Sequence, residues 1–190
     1  MTSTDHRLPD DGALAQFWEV ARVRAGIDRI GVVVGASALG AVAPPAWSFG
    51  DSPALADALL DLVLSGQKRA TATALWEFEL GEEPRPSAGD LSIVLDGAGR
   101  PRALIRTTAV RVERFCDVDA EFAAAEGEDD GSLESWRREH EAYWRRLAQT
   151  EGGQPFSAEM PVLLEEFEVL YRQAAVPENE MQVPTRETER

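Results

Sequence analysis

The sequence predicts an α+β fold in which several short strands curl as a small β-barrel with helices across its openings. Three observations carry that expectation. Apolar residues recur at helical spacing behind polar caps near Asp10, Ser52 and Ser132. The runs Leu91–Leu95 and Ala103–Glu113 are extended and joined by Asp96-Gly97-Ala98-Gly99, a strong hairpin signal. A last extended run, Val162–Tyr171, follows the third helical stripe. With 190 residues, 44% hydrophobic and 28% charged, the chain can bury a core as one domain with an extra N-terminal element.

Taken in order, Asp10 and Asp11 precede Leu14, Phe17, Trp18 and Ala21, an amphipathic stripe that Gly26 can end. Residues 27–46, rich in Gly, Ala, Val and Pro, read as a strand or an irregular connector. Asp51 or Ser52 can cap a helix with Pro53 in its first turn, Leu55, Leu59, Leu62 and Val63 on its buried face, and Gly66 at its end. Thr71-Ala72-Thr73-Ala74-Leu75-Trp76 then suits an extended segment, followed by a loop from Gly81 to Asp90. On the second hairpin strand, Leu104, Arg106, Thr108, Val110 and Val112 share a face, which marks Arg106 and Thr108 as site candidates. An arginine on an apolar face needs an anionic or carbonyl partner, and a structural ion pair meets that need as well as a ligand does. Leu133, Trp136, His140, Tyr143 or Trp144, and Leu147 form the third stripe, where His140 and the aromatics read as packing. Phe167, Val169 and Tyr171 share a face of the closing strand. Residues 173–190, dominated by Pro, Glu, Asn, Gln and Arg, read as a disordered tail.

Charge and cysteine content exclude several functions. A net charge of −15 argues against gripping a nucleic-acid backbone over a long footprint, while leaving room for a local basic cleft. The start of the chain lacks a secretory signal, and Gly31–Val42 is too short and too interrupted to span a bilayer, so a cytoplasmic, non-membrane protein is expected. Cys116 is the single cysteine and His6 and His140 the two histidines, which rules out an intrachain disulfide and makes a Cys/His zinc site untenable. Residues 117–130 hold seven carboxylates and no basic residue, the pattern of a solvated surface. Among 19 Lys plus Arg, only Lys68 is a lysine, and it stands at a helix-to-strand corner, Gly66-Gln67-Lys68-Arg69-Ala70-Thr71. A lysine retained in an arginine-rich chain points to a need for a compact ammonium or a titratable amine.

Trp47-Ser48-Phe49-Gly50-Asp51, the Gly-x-Lys-x-x-Thr corner, Gly89-Asp90, Arg106-Thr107-Thr108, Glu126-Gly127-Glu128 and Ser132-Leu133 together resemble the ASCH domain family. The resemblance spans about residues 47–172, with residues 1–46 as a helical extension of the kind longer members carry. It implies a PUA-like β-barrel whose cleft is associated with RNA and modified nucleosides. Small bacterial members hydrolyse the amide of N4-acetylcytidine with a Lys, a Thr and a Glu, and another member is described as a ribonuclease. The resemblance makes Lys68 and Thr71 the matching lysine and threonine, leaves the glutamate between Glu128 and Glu126, and suggests Trp76 and Ser157 as further substrate-binding residues. This chain departs from the small type in its length, in Ala70 within the corner and in the loop Gly81–Ser87.

The chemistry implied requires neither metal nor cofactor. A desolvated, neutral Lys68 would take the proton of Thr71, as in Ser-Lys nucleophilic catalysis. A charged Lys68 would instead stabilise the acyl oxygen while Glu128 or Glu126 activates water, and the acidic surroundings favour this second route. For RNA cleavage, Lys68 and Arg106 would hold the phosphate while the 2′-hydroxyl attacks. The expected activity is metal-independent hydrolysis of a modified nucleoside such as N4-acetylcytidine. The alternatives are a ribonuclease or a non-catalytic RNA- or nucleotide-binding module.

Overall fold

A computed structural model of the chain describes residues 10–27, 43–81, 84–150 and 152–173. Most of the strand or connector expected over 27–46, and the tail beyond Gln173, lie outside them. In α1 (Asp11–Arg24), the Asp10 carboxylate accepts the Gly12 N–H at 2.8 Å, and Phe17, Trp18 and Ala21 are buried. The C-cap is Ala25, and the expected Gly26 follows it. After β1 (Ala46–Trp47) comes α2 (Pro53–Ser65), capped by the Ser52 hydroxyl and closed by Gly66 in the left-handed region at φ 84°. Next are β2 (Ala70–Ala74), α3 (Leu75–Gly81), β3 (Leu91–Leu95) and β4 (Pro101–Arg114). A 3-10 turn at Phe115–Asp117 leads to α4 (Ala120–Glu126), α5 (Leu133–Leu147) and β5 (Pro161–Arg172). No helix among the described residues is long and apolar enough to cross a membrane.

The strands form one five-stranded sheet in the order β1-β3-β4-β5-β2, antiparallel except for the β1–β3 pair. The sheet stays open, which corrects the expected barrel. Closure would require β1 to pair with β2, but β1 has only 2 residues. The residue just before β2 bonds elsewhere, through the Arg69 N–H and the Ala125 carbonyl at 2.8 Å. Helices pack on the open sheet. One core packs Phe49, Leu59, Leu60 and Val63 on Val94, Ala103, Ile105 and Phe167. Another joins Trp76, Phe122, Trp136 and Trp144 to Val162 and Leu164. A third seats α1 on Ile93, Leu95 and Leu104.

Local chemistry explains where the elements differ from expectation. The extended run stops at Ala74 because the Glu77 carboxylate accepts the Ala74 N–H at 2.9 Å and starts α3, which places Trp76 on a helix. Within the acidic run, Asp119 caps α4 by accepting the Phe122 N–H at 2.8 Å, and the helix buries Phe122, Ala123 and Glu126. The single expected face of the second hairpin strand is broken by a bulge between Thr107 and Ala109. A register shift between Leu104 and Ile105 separates Tyr171, which packs with α1, from Phe167 and Val169.

Candidate active site

The corner after α2 is built by backbone geometry. Gly66 turns the chain, the N–H groups of Gln67 and Lys68 both reach the Leu62 carbonyl, and the Arg69 N–H reaches Ala125. The Gln67 side-chain amide donates to the Gly127 carbonyl at 2.6 Å, stitching the corner to the α4–α5 loop. Gly127 itself sits at φ 64°, and a Cβ there would stand 2.6 Å from the Gln67 carbonyl oxygen. Close approach and a left-handed backbone therefore both require glycine between Glu126 and Glu128.

Lys68 is fully buried, at 0% exposure. Its ammonium donates to Glu126 Oε2 at 2.8 Å and to Glu128 Oε1 at 2.5 Å, and stands 5.3 Å from the centroid of the Phe49 ring. Burial alone pushes the ammonium down, but the two carboxylates outweigh it and the pKa is raised. Glu126 Oε1 accepts the Trp136 indole N–H at 2.9 Å and lies 3.5 Å from His140 Nε2. Burial pushes Glu126 up, yet Lys68 and His140 overcome it and hold the carboxyl well below the usual range. Burial pushes His140 down, but Glu126 and Glu128 together outweigh it, so its pKa is raised. The row His140–Glu126–Lys68–Glu128 thus alternates basic groups with carboxylates.

These groups border a cleft of about 770 Å³ between α2, β2 and α5, within the roughly 300–1,000 Å³ of small-molecule pockets. Thr71, Glu77, Glu126, Glu128 and His140 line it, with Trp47 and Phe49 among its apolar walls. Lys68 lies behind the carboxylates rather than among the lining residues. Glu77 accepts the Trp144 indole N–H at 2.9 Å, and burial pushes its carboxyl up.

The structure brings Lys68, Thr71, Glu126 and Glu128 together and places the other candidates elsewhere. Arg106 is exposed and ion-paired with Glu168. Thr108 is exposed at the β4 bulge. Trp76 is buried in the core, and the exposed Ser157 donates to Glu159 at 2.7 Å. None of the four lines the cleft. Glu77 and His140 line the cleft without having been sequence candidates. Glu77 was hidden by the unread helix α3, and its signal was a carboxylate one turn past a threonine-rich strand. His140 was read as packing, although it follows Trp136 by one turn on a helix that the Glu126–Ser132 loop leads into.

The ASCH domain model matches residues 45–171. Protein EF3133 from Enterococcus faecalis V583 is similar at 30% identity and TM-score 0.67, over 83% of this chain and 88% of that one. An ASCH domain from Lactobacillus crispatus JV V101 is similar at 29% identity and TM-score 0.64, over 78% of this chain and 95% of that one. No curated protein matches the chain.

Proposed function

The chain belongs to the ASCH domain family, a PUA-like fold of RNA-binding type, and we propose that its cleft hydrolyses the acyl amide of a modified nucleoside such as N4-acetylcytidine without a metal. The observation that carries this reading is the buried Lys68 ammonium tethering two carboxylates at the wall of a cleft that Thr71 also lines. A lysine held by two carboxylates stays charged, which favours water attack over a lysine-activated threonine. Glu126 accepts from Lys68 and Trp136, faces His140 and is stripped of basicity, so it positions the site. Glu128, with 26% of its side chain exposed, is the carboxylate that can reach a bound water. In this reading Glu128 is the general base, Thr71 donates a hydrogen bond to the acyl oxygen, and Lys68 orients Glu128.

The ribonuclease alternative needs Lys68 and Arg106 on one phosphate. Lys68 is sealed behind carboxylates and Arg106 is paired with Glu168 outside the lining, so the geometry favours the amidohydrolase. The test is chromatographic: purified protein is incubated with N4-acetylcytidine and cytidine is quantified. Wild type should release cytidine, and Glu128→Gln, which preserves shape, should lower kcat by about 10²- to 10⁴-fold. No cytidine from wild type, or full activity in Glu128→Gln, rejects the assignment.

A further inference from the structure

His140 has two nitrogens and both face acceptors. Nδ1 lies 3.0 Å from the Trp136 carbonyl oxygen, a group that can only accept, so Nδ1 carries a hydrogen. Nε2 lies 3.5 Å from Glu126 Oε1. In the neutral ring with Nδ1 protonated, Nε2 would turn a lone pair toward a carboxylate. Only the doubly protonated ring satisfies both ends. The ring is held there by stacking on Trp136, with centroids 4.2 Å apart and planes at 22°. It also contacts Trp144 on the next turn. The surrounding charges are Glu126 from α4, Glu128 from the α4–α5 loop, Lys68 from the corner after α2, and Glu77 from α3. Three carboxylates and one ammonium leave room for one more cation. His140 lines the cleft with 11% of its side chain exposed, so the ring borders the space a ligand would occupy.

We propose that His140 is a resident imidazolium and a further catalytic residue, whose Nε2–H supplies the proton taken by the departing amine nitrogen. This rests on the amidohydrolase reading. The water oxygen bonds to the acyl carbon as Glu128 takes one of its protons. The carbon–nitrogen bond then breaks, its electron pair goes to the nitrogen, and the nitrogen takes the Nε2 proton. The proton on Glu128 returns to His140 through solvent, leaving the carboxylic acid and the free amine. The long 3.5 Å spacing to Glu126 fits a proton that is oriented toward the carboxylate without being locked to it.

Two measurements test the proposal. Nitrogen-15 NMR of the histidines in the full-length chain, with His6→Gln removing the second imidazole, reads the state of His140 directly. The expected result is an imidazolium at pH 7 that loses its proton above the ordinary value of 6.5. A neutral ring at pH 7 overturns the proposal. In N4-acetylcytidine hydrolysis, His140→Gln and His140→Asn should lower kcat by about 10²-fold or more, with KM little changed and the alkaline limb of the wild-type kcat profile abolished. Wild-type kcat in a folded variant overturns the catalytic role. If wild type itself releases no cytidine, the amidohydrolase reading falls and the proton delivery with it, while the NMR still decides the imidazolium.

Discussion

A lysine with no exposed surface is tolerable only when its charge is met, and Lys68 meets two carboxylates within hydrogen-bond distance. Glu165 shows the opposite case. It is buried on β5 at 8% exposure, and its hydrogen bond comes from the neutral Thr107 hydroxyl at 2.6 Å. Burial pushes its carboxyl up, the Thr107 bond lowers it in part, and nearby Asp90 adds to the rise. A carboxyl whose folded pKa exceeds its unfolded value binds more protons in the native state, so it loses stability as pH rises through the folded value. Glu165→Gln removes that penalty and keeps an oxygen for Thr107. It should stabilise the protein at pH 7 by on the order of 1 kcal/mol, raising Tm by about 2–4 °C. Thermal unfolding of both proteins at pH 7 and pH 4 checks this, because the difference should shrink toward zero at pH 4. A lower Tm for the variant at pH 7 would contradict it.

The elements that carry the site are held by turns, and Gly127 is the one between the two carboxylates. It sets the spacing of Glu126 and Glu128 while its carbonyl receives the Gln67 side chain. Gly127→Ala places a methyl group against the Gln67 backbone in a conformation that L residues avoid. The cost should be about 2–4 kcal/mol, read as a lower midpoint in urea unfolding, together with loss of the proposed hydrolysis as the two carboxylates are displaced. An unchanged midpoint would mean that the corner and the loop are not coupled. This level of organisation was only partly legible in the sequence. The Ser52 and Ser132 caps, Gly66 and the hairpin turn were readable because each acts on its immediate neighbours. Helices α3 and α4 were not, since each is 7 residues long and depends on a carboxylate cap inside a segment with another dominant pattern. The β4 bulge was invisible because a register shift depends on the partner strand, and it turned an apparent arginine-bearing face into a mixed one. The helix-to-strand corner that carries Lys68 and Thr71 was legible in the sequence. His140 was not, because helical periodicity cannot distinguish a residue packed in a core from one packed at the wall of a cleft.

At the scale of the whole molecule, the cleft and the α1 seat use different surfaces of the sheet. The cleft opens between α2, β2 and α5, while α1 covers Ile93, Leu95 and Leu104 with Phe17, Trp18 and Ala21. The residues matched by the ASCH domain model begin at 45, so α1 lies N-terminal to them and covers apolar surface on the matched part of the chain. Phe17 also packs against Tyr171 of β5, with ring centroids 5.6 Å apart, which ties α1 to the sheet. A chain starting at residue 43 would expose Ile93, Leu95 and Leu104, each now 4% exposed or less. Losing the burial of Phe17 and Trp18 alone should cost about 3–6 kcal/mol at roughly 1.5–3 kcal/mol per large apolar side chain. The shortened chain should therefore unfold at a markedly lower denaturant concentration and bind a hydrophobic dye. No residue of α1 lines the cleft, so the folded fraction at low temperature should keep the KM of the full-length protein. A changed KM with unchanged stability would reverse this assignment and make α1 a part of the site rather than a cover for the sheet.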